Sequence, residues 1–292
     1  MTVSLDALVL PAFDELAGLP DERAPWLDAE SFDSTLDVPG VPDPVHYTDE
    51  GLGIVPTGVG KSAAAATTTA LLASDRLDLS ETLVCSVGVA GGPPTDVTIG
   101  SVVLAERIVD WDAKVRFDPD TTEPPIARNP YAESAILDLD EALVETALRA
   151  TEAVDLATEA ELRDHCGQFD ATAALEAPRV LAGTNCCADE LWHGRTIAEH
   201  VQWLVEEHDA GTYCVTEMED FGTALALDRF DHLDRYLSVR GIANFDRPPA
   251  GTSPEQSLFG DAFDAGFPLG LDNAVRVARA IIDGRRSPSA RT

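Results

Sequence analysis

Positive charge is what this 292-residue chain has least of, with 20 Lys plus Arg against 52 Asp plus Glu and a formal net charge of −32. Lys61 and Lys114 are its two lysines. Nucleic acid binding needs clustered Lys and Arg facing phosphates, so a nucleic acid polymer is excluded as a partner. Docking on an anionic lipid surface is excluded on the same ground. Long apolar runs are scarce as well: the longest uncharged stretches, Ser62–Ser74 and Thr82–Thr95, have 13 and 14 residues, where a membrane span needs ~20. No membrane insertion is expected. Met1 to Leu19 holds Asp6, Asp14 and Glu15 and no basic residue, unlike a secretory signal. The five cysteines are odd in number, two are adjacent and none forms a CxxC pair. That excludes a disulfide framework and a zinc site, and it fits reduced thiols in a cytoplasm. No metal or organic cofactor is expected.

What is present is enough to fold, since 45% of residues are hydrophobic and a disordered acidic chain would hold fewer. Abundant carboxylates with almost no lysine suit a cytosol of molar salt. There the Debye length shrinks to ~3 Å and repulsion between exposed charges costs little. The expected location is therefore a high-salt cytoplasm.

Strand-like and helix-like segments alternate along the chain. Short apolar runs at Ala7–Leu10 and Gly53–Val55 read as strands, and Ser62–Ala73 reads as an Ala/Thr/Leu helix. Thr82–Val89 is continuously apolar, as a strand buried on both faces is, and a glycine-proline breaker follows at Gly91–Pro94. Val97–Val109 reads as a strand or hairpin, Asp118–Arg128 as a surface loop, and Leu139–Leu162 as helix with a break near Asp155. Strands are then expected at Arg179–Ala182, Thr212–Val215 and Tyr236–Ile242, with helices at Thr196–Glu207, Glu219–Phe230 and Leu271–Ile282. This order predicts one α/β domain over residues 1–284 with a largely parallel sheet, and a flexible tail over 285–292.

Five stretches carry candidate chemistry. Gly58-Val59-Gly60-Lys61-Ser62 looks like the end of a phosphate-binding loop, but Val55 stands where its first glycine belongs. An ordinary ATPase loop is thereby excluded, leaving a turn that admits either a ligand or close packing. Gly88-Val89-Ala90-Gly91-Gly92 lies at the carboxyl end of a buried strand, where open α/β sheets bind ligands. Thr216-Glu217-Met218-Glu219-Asp220 sets three acids after a strand, suited to a vicinal diol or to a solvated helix start. Asn244 and Asp246 sit in the run Arg240–Pro249, again after a strand, and Cys186, Trp192 and His193 fall in the run Asn185–Gly194. A Trp and a His there suit stacking on a flat base.

Taken together, TGVGKSAAAA, VGVAGG, LWHGRT, YCVTEMED and RGIANFDRPP resemble the nucleoside phosphorylase and nucleosidase superfamily, most closely its purine nucleoside permease branch. The resemblance runs from Val9 to about Ala280. It implies a three-layer αβα fold around a twisted, mixed sheet, usually a homo-oligomer, and a site for a purine nucleoside. It implies that Met218 packs on the ribose and Glu219 bonds its hydroxyls. Asn244 stands where those enzymes carry the acid that protonates the purine, and an Asn donates a hydrogen bond without supplying a proton. With Asp246 as a nearby acid, a 6-oxopurine such as guanosine or inosine is favoured, and Cys186, Trp192 and His193 are expected around the base. Ser86 and Val89 occupy the places where phosphorylases carry phosphate ligands. Gly58, Gly60, Lys61, Val89 and Gly91 are the expected nucleophile side, with Arg240 or Arg247 as replacement phosphate ligands. The hydrolytic branch uses an early Glu to activate water, for which Glu15 and Glu22 are candidates. Phosphorolysis, with inorganic phosphate as co-substrate, is the leading expectation. Hydrolysis, or a non-catalytic role in nucleoside uptake, are the alternatives.

Overall fold

The computed structural model describes residues 2–14, 16 and 18–286. Its framework is a mixed sheet of ten strands. The strands that concern the site are β1 (Ala7–Leu10), β2 (Leu52–Ile54), β3 (Leu83–Gly92), β4 (Val102–Asp110), β5 (Val180–Cys187), β6 (Tyr213–Glu217) and β7 (Tyr236–Phe245). The longer helices are α1 (Lys61–Leu72), α2 (Glu141–Ala150), α3 (Arg195–Glu207), α4 (Asp220–Arg229) and α5 (Asp261–Arg286). Ladders β1–β2, β1–β3, β3–β7, β4–β5 and β5–β6 are parallel. The architecture is the expected α/β one, with helices layered on a central sheet.

The sheet also curls on itself. β6 meets β3 through one antiparallel pair, Thr216 opposite Gly91, while β7 pairs with both β3 and β4. Strands β4, β5, β6, β3 and β7 thus form a closed ring, which removes edges and gathers the strand ends that carry the candidate residues. Close backbone approach makes this possible. A Cβ on Gly241 would sit 1.9 Å from the Gly270 carbonyl, and one on Gly266 would sit 1.9 Å from that of Ala243. Helix α5 therefore lies directly on β7, and its small residues fix where Asn244 ends up.

Several expected boundaries shift. The glycine cluster Gly88–Gly92 is the end of β3 as expected, but the strand runs on through Gly91 and Gly92, hydrogen-bonded on both flanks, and Pro93 and Pro94 are what stop it. Likewise Arg240–Asn244 lies inside β7 rather than after it. The 118–128 loop closes with a short strand, Ile126–Arg128, paired to Lys114–Arg116. Helix α5 continues through Arg285 and Arg286, which were expected in the tail, and 287–292 lie outside the described residues.

Candidate functional site

Helices α1 and α4 start side by side. A Cβ on Gly222 would fall 2.1 Å from the Lys61 carbonyl oxygen, so glycine there lets the two first turns touch. Glu219 lies at the start of α4 and accepts the Gly60 amide, at the start of α1, through Oε1 at 3.1 Å. Two helix N-termini thus converge on one carboxylate, the end of the dipole that favours an anion.

Behind Glu219 lies a buried cage of four acids around one arginine. Arg240, 2% exposed, reaches Glu217 at 3.0 Å and Glu219 at 3.4 Å, and donates to Asp220 through Nε at 3.1 Å and through Nη2. Its Nη2 also donates to Ser86 Oγ at 2.8 Å. Asp220 takes further bonds from Asn185 Nδ2 at 2.8 Å, Tyr236 OH at 2.9 Å and Ser238 Oγ. Glu217 accepts the Glu219 and Asp220 amides at 2.7 and 2.9 Å. The fourth acid, Glu22, is 1% exposed and accepts the amides of Ala12 at 2.8 Å and Val89 at 3.2 Å. A Cβ on Gly88 would be 2.8 Å from Glu22 Oε1 and 2.9 Å from Arg240 Nη1, so glycine at 88 opens the space in which those two groups approach.

Burial shapes the acidity of these groups. It pushes Glu217 and Glu219 up to about 7, against the pull of Arg240 and with the charge of Asp220 pushing the same way. Glu22 is raised by burial too, with Arg240 and backbone amides pulling it down. For Asp220 burial is outweighed by Arg240 and by the hydroxyl donors, and its carboxyl is held below the ordinary range.

The solvent-facing rim of the cage is half-buried: Val89, Gly91, Thr216, Met218 and Asn244. Gly91 lies between Thr216 and Asn244, 3.4 and 3.6 Å from where its Cβ would be. Asn244 gives one amide hydrogen to the Phe245 carbonyl at 2.8 Å. The structure brings Glu22 against Val89 and Glu219, and Asn244 against Gly91, with Met218 half-buried next to Glu219 in the chain. Glu15 lies outside the described residues.

Other expected ligands are committed elsewhere. Asp246 is buried in a two-point ion pair with Arg247, at 2.6 and 3.1 Å, and accepts Tyr213 OH at 3.2 Å, so it has no role as a free acid. Lys61 is held by Asp110 and by Asp112 at 2.7 Å. The Gly58 amide goes to the Ala12 carbonyl at 2.9 Å. Cys186 and Trp192 belong to the apolar cluster under α3, Trp192 against Trp111 at 6.5 Å, rather than to a base pocket wall. His193 is half-buried with neither ring nitrogen bonded, and burial lowers its basicity, opposed by nearby Asp246. Glu217, Asp220, Asn185, Tyr236 and Ser238 are members of the site that the sequence reading did not assign. A signal for them exists: Arg240 in the otherwise uncharged run YLSVRGIANF requires buried acids as partners.

A profile of the purine nucleoside permease (NUP) family matches residues 5–285. The chain belongs to that family. Similar relatives are a purine nucleoside permease of Candida albicans, 27% identical over 290 residues (89% of this chain, 71% of that protein), and a probable purine nucleoside permease of Schizosaccharomyces pombe, 26% identical over 258 residues (78% and 73%). Among solved structures the chain shares its fold with the futalosine hydrolase of Helicobacter pylori, at TM-score 0.65, 18% identity and coverage of 96% and 98%. It is similar too to a 5′-methylthioadenosine/S-adenosylhomocysteine nucleosidase of Neisseria meningitidis solved with methylthio-immucillin-A, at TM-score 0.63, 16% identity and coverage of 96% and 99%. No helix among the described residues of this permease-family chain is long and apolar enough to cross a membrane.

Proposed function

We propose that this protein binds a purine nucleoside and cleaves its N-glycosidic bond with water. The observation that carries the reading is Glu22, a buried carboxylate with raised proton affinity, placed beside Val89, Gly88 and the ribose candidate Glu219. A base of that kind is suited to take a proton from water at neutral pH. The oxygen of that water bonds to C1′, the C1′–N9 pair leaves with the base, and the base takes its proton from solvent because the Asn244 amide has none to give. Glu219 holds the ribose hydroxyls, Met218 packs on the sugar, and Asn244 stabilises the departing purine by hydrogen bonding. The amide can face a 6-oxopurine edge as donor or acceptor, which favours guanosine or inosine.

Hydrolysis takes precedence over phosphorolysis here because the groups expected to grip phosphate already have partners. Arg240, Arg247 and Lys61 are each bonded to carboxylates, and the amides of Gly60 and Val89 are given to Glu219 and Glu22. The structural neighbours, named a hydrolase and a nucleosidase, support the same direction. The deciding experiment is release of free base from inosine, guanosine and adenosine in molar salt, with and without phosphate. Release in phosphate-free buffer is expected, and release that requires phosphate would replace hydrolysis by phosphorolysis. A rise in melting temperature with nucleoside but no release would leave a binding protein for nucleoside uptake.

A further inference from the structure

We propose that Asp220 is a positioning residue that sets the proton affinity of the two carboxylates facing the substrate, by engaging Arg240 on the side away from them. The inference rests on the hydrolytic reading above and names the residue that adjusts its base. Asp220 is fully buried and receives Asn185, Tyr236, Ser238 and two nitrogens of Arg240 on its two oxygens. The Nε–Nη2 edge of the guanidinium is thereby turned to Asp220, with Nη2 shared by Ser86 and Glu217. The Nη1 corner is what remains for Glu219, at 3.4 Å, and for the space beside Gly88 that Glu22 shares. Four acids and one arginine carry a net charge of −3 if all ionise, and the acid with the best geometry takes most of the compensation. Burial and bonding together rank them: burial holds Glu22 and Glu219 above the ordinary carboxylate range, while Arg240 and the hydroxyl donors hold Asp220 below it.

Every ionisable group facing the pair enters this balance. Glu22 meets Arg240 and Glu219. Glu219 meets Arg240, Glu22, Asp220 and Glu217, with the Gly60 amide from α1. Tyr236 contributes as a neutral donor to Asp220, its phenol pushed well above its ordinary range by burial. Removing the charge at 220 therefore acts twice in one direction. It withdraws a repulsive charge from Glu219, and it leaves Arg240 less compensated towards Glu22. Both changes favour the anionic forms, so the pH at which the base protonates falls.

The test is the pH dependence of base release in molar salt for wild type and Asp220→Asn. Wild type is expected to lose activity on its acidic side above the ordinary carboxylate range. Asp220→Asn is expected to carry that limb to lower pH by about one unit or more. A folded Asn variant whose kcat falls equally at all pH values, with the limb unmoved, overturns the proposal and leaves Asp220 a structural residue. If the variant does not fold, wild type decides: an acidic limb at an ordinary carboxylate value overturns the proposal on its own. A 13C-carboxylate NMR titration of glutamate-labelled protein reads the same affinities without turnover. It separates failure of this inference from failure of the hydrolytic reading, which would show as absent base release.

Discussion

Glu145 and Arg149 on α2 form an ion pair with side chains 58% and 63% exposed, whereas Glu217 and Arg240 meet at 1% and 2%. The chemistry of the two pairs is identical and their physics is opposite. In water the first exchanges hydration for a screened contact and is worth ~0–1 kcal/mol. The second has no hydration to return to, so its members depend on each other, and the loss of one leaves a stranded charge. A count of 52 acids conceals this division. The exposed carboxylates meet solvent, and the buried ones depend on one another and on Arg240.

The largest expected effect comes from breaking the buried member of that comparison. Arg240→Met removes the one cation of the cage and leaves Glu217, Glu219, Asp220 and Glu22 facing one another. A loss of about 3–5 kcal/mol is expected, from the cost of breaking a buried pair, read as the shift of a guanidinium midpoint at constant high ionic strength. Unchanged stability would show that the acids do not depend on Arg240 for compensation.

Glu22→Gln separates chemistry from stability within the same cage. Base release is expected to fall by roughly 10²–10⁴-fold, the range for loss of a general base. The fold should survive, because a Gln oxygen can still accept one of the amides of Ala12 and Val89. Full activity in this variant would remove Glu22 from the mechanism and return attention to Glu15.

How much of this was readable beforehand differs between fold and site. Buried strands announced themselves by unbroken apolar runs, so β1, β3 and β7 and the helices α1, α3 and α4 fall close to where the sequence puts them. What the sequence hid was the ring. Gly91 and Gly92 look like part of a breaker with Pro93 and Pro94, yet the missing side chains at Gly88 and Gly91 are what let Glu22, Arg240 and Asn244 crowd against β3. In the site, Met218, Glu219 and Asn244 were legible from motif wording, and Glu22 was a candidate by its place near the N-terminus. Asp220 was passed over because an acid at a helix start has an ordinary explanation in the dipole. Its true partners, Tyr236, Ser238 and Arg240, are 16 to 20 residues away on a neighbouring strand. Asp246 was misread in the opposite sense, since its neighbour Arg247 occupies the carboxyl that looked available.

A smaller effect tests the raised acidity of the cage through stability. Glu217 changes from an ordinary 4.5 to about 7 on folding, so between those values the native state holds a proton that the unfolded chain has released. Stability from that group is fully present below pH 4.5 and is lost as pH rises towards 7. Asp220, depressed on folding, works in the other direction only below its ordinary 3.8. Three histidines, His165, His193 and His208, have lowered basicity by burial and favour the fold as pH rises towards 6.5, which masks the trend in wild type alone. The readout is therefore a difference. Relative to wild type, Glu217→Gln should gain melting temperature steadily from pH 4.5 to 7 in molar salt. A difference that stays flat would place Glu217 at an ordinary carboxylate value.

The smallest effect belongs to the exposed pair that opened the comparison. Glu145 and Arg149 are one helical turn apart, 3.4 Å between charged atoms, and largely in water. Replacing both with Gln should change stability by about 0.3–0.5 kcal/mol at low salt, the usual value of such a pair. In molar salt, where the screening length is ~3 Å, the change should vanish. The Arg240→Met loss should persist at both salt concentrations, because Arg240 and Glu217 are almost wholly buried, where salt screens little. If the two losses instead shrink together as salt rises, solvent reaches Arg240, and the division into surface and buried carboxylates fails at the place where it matters most.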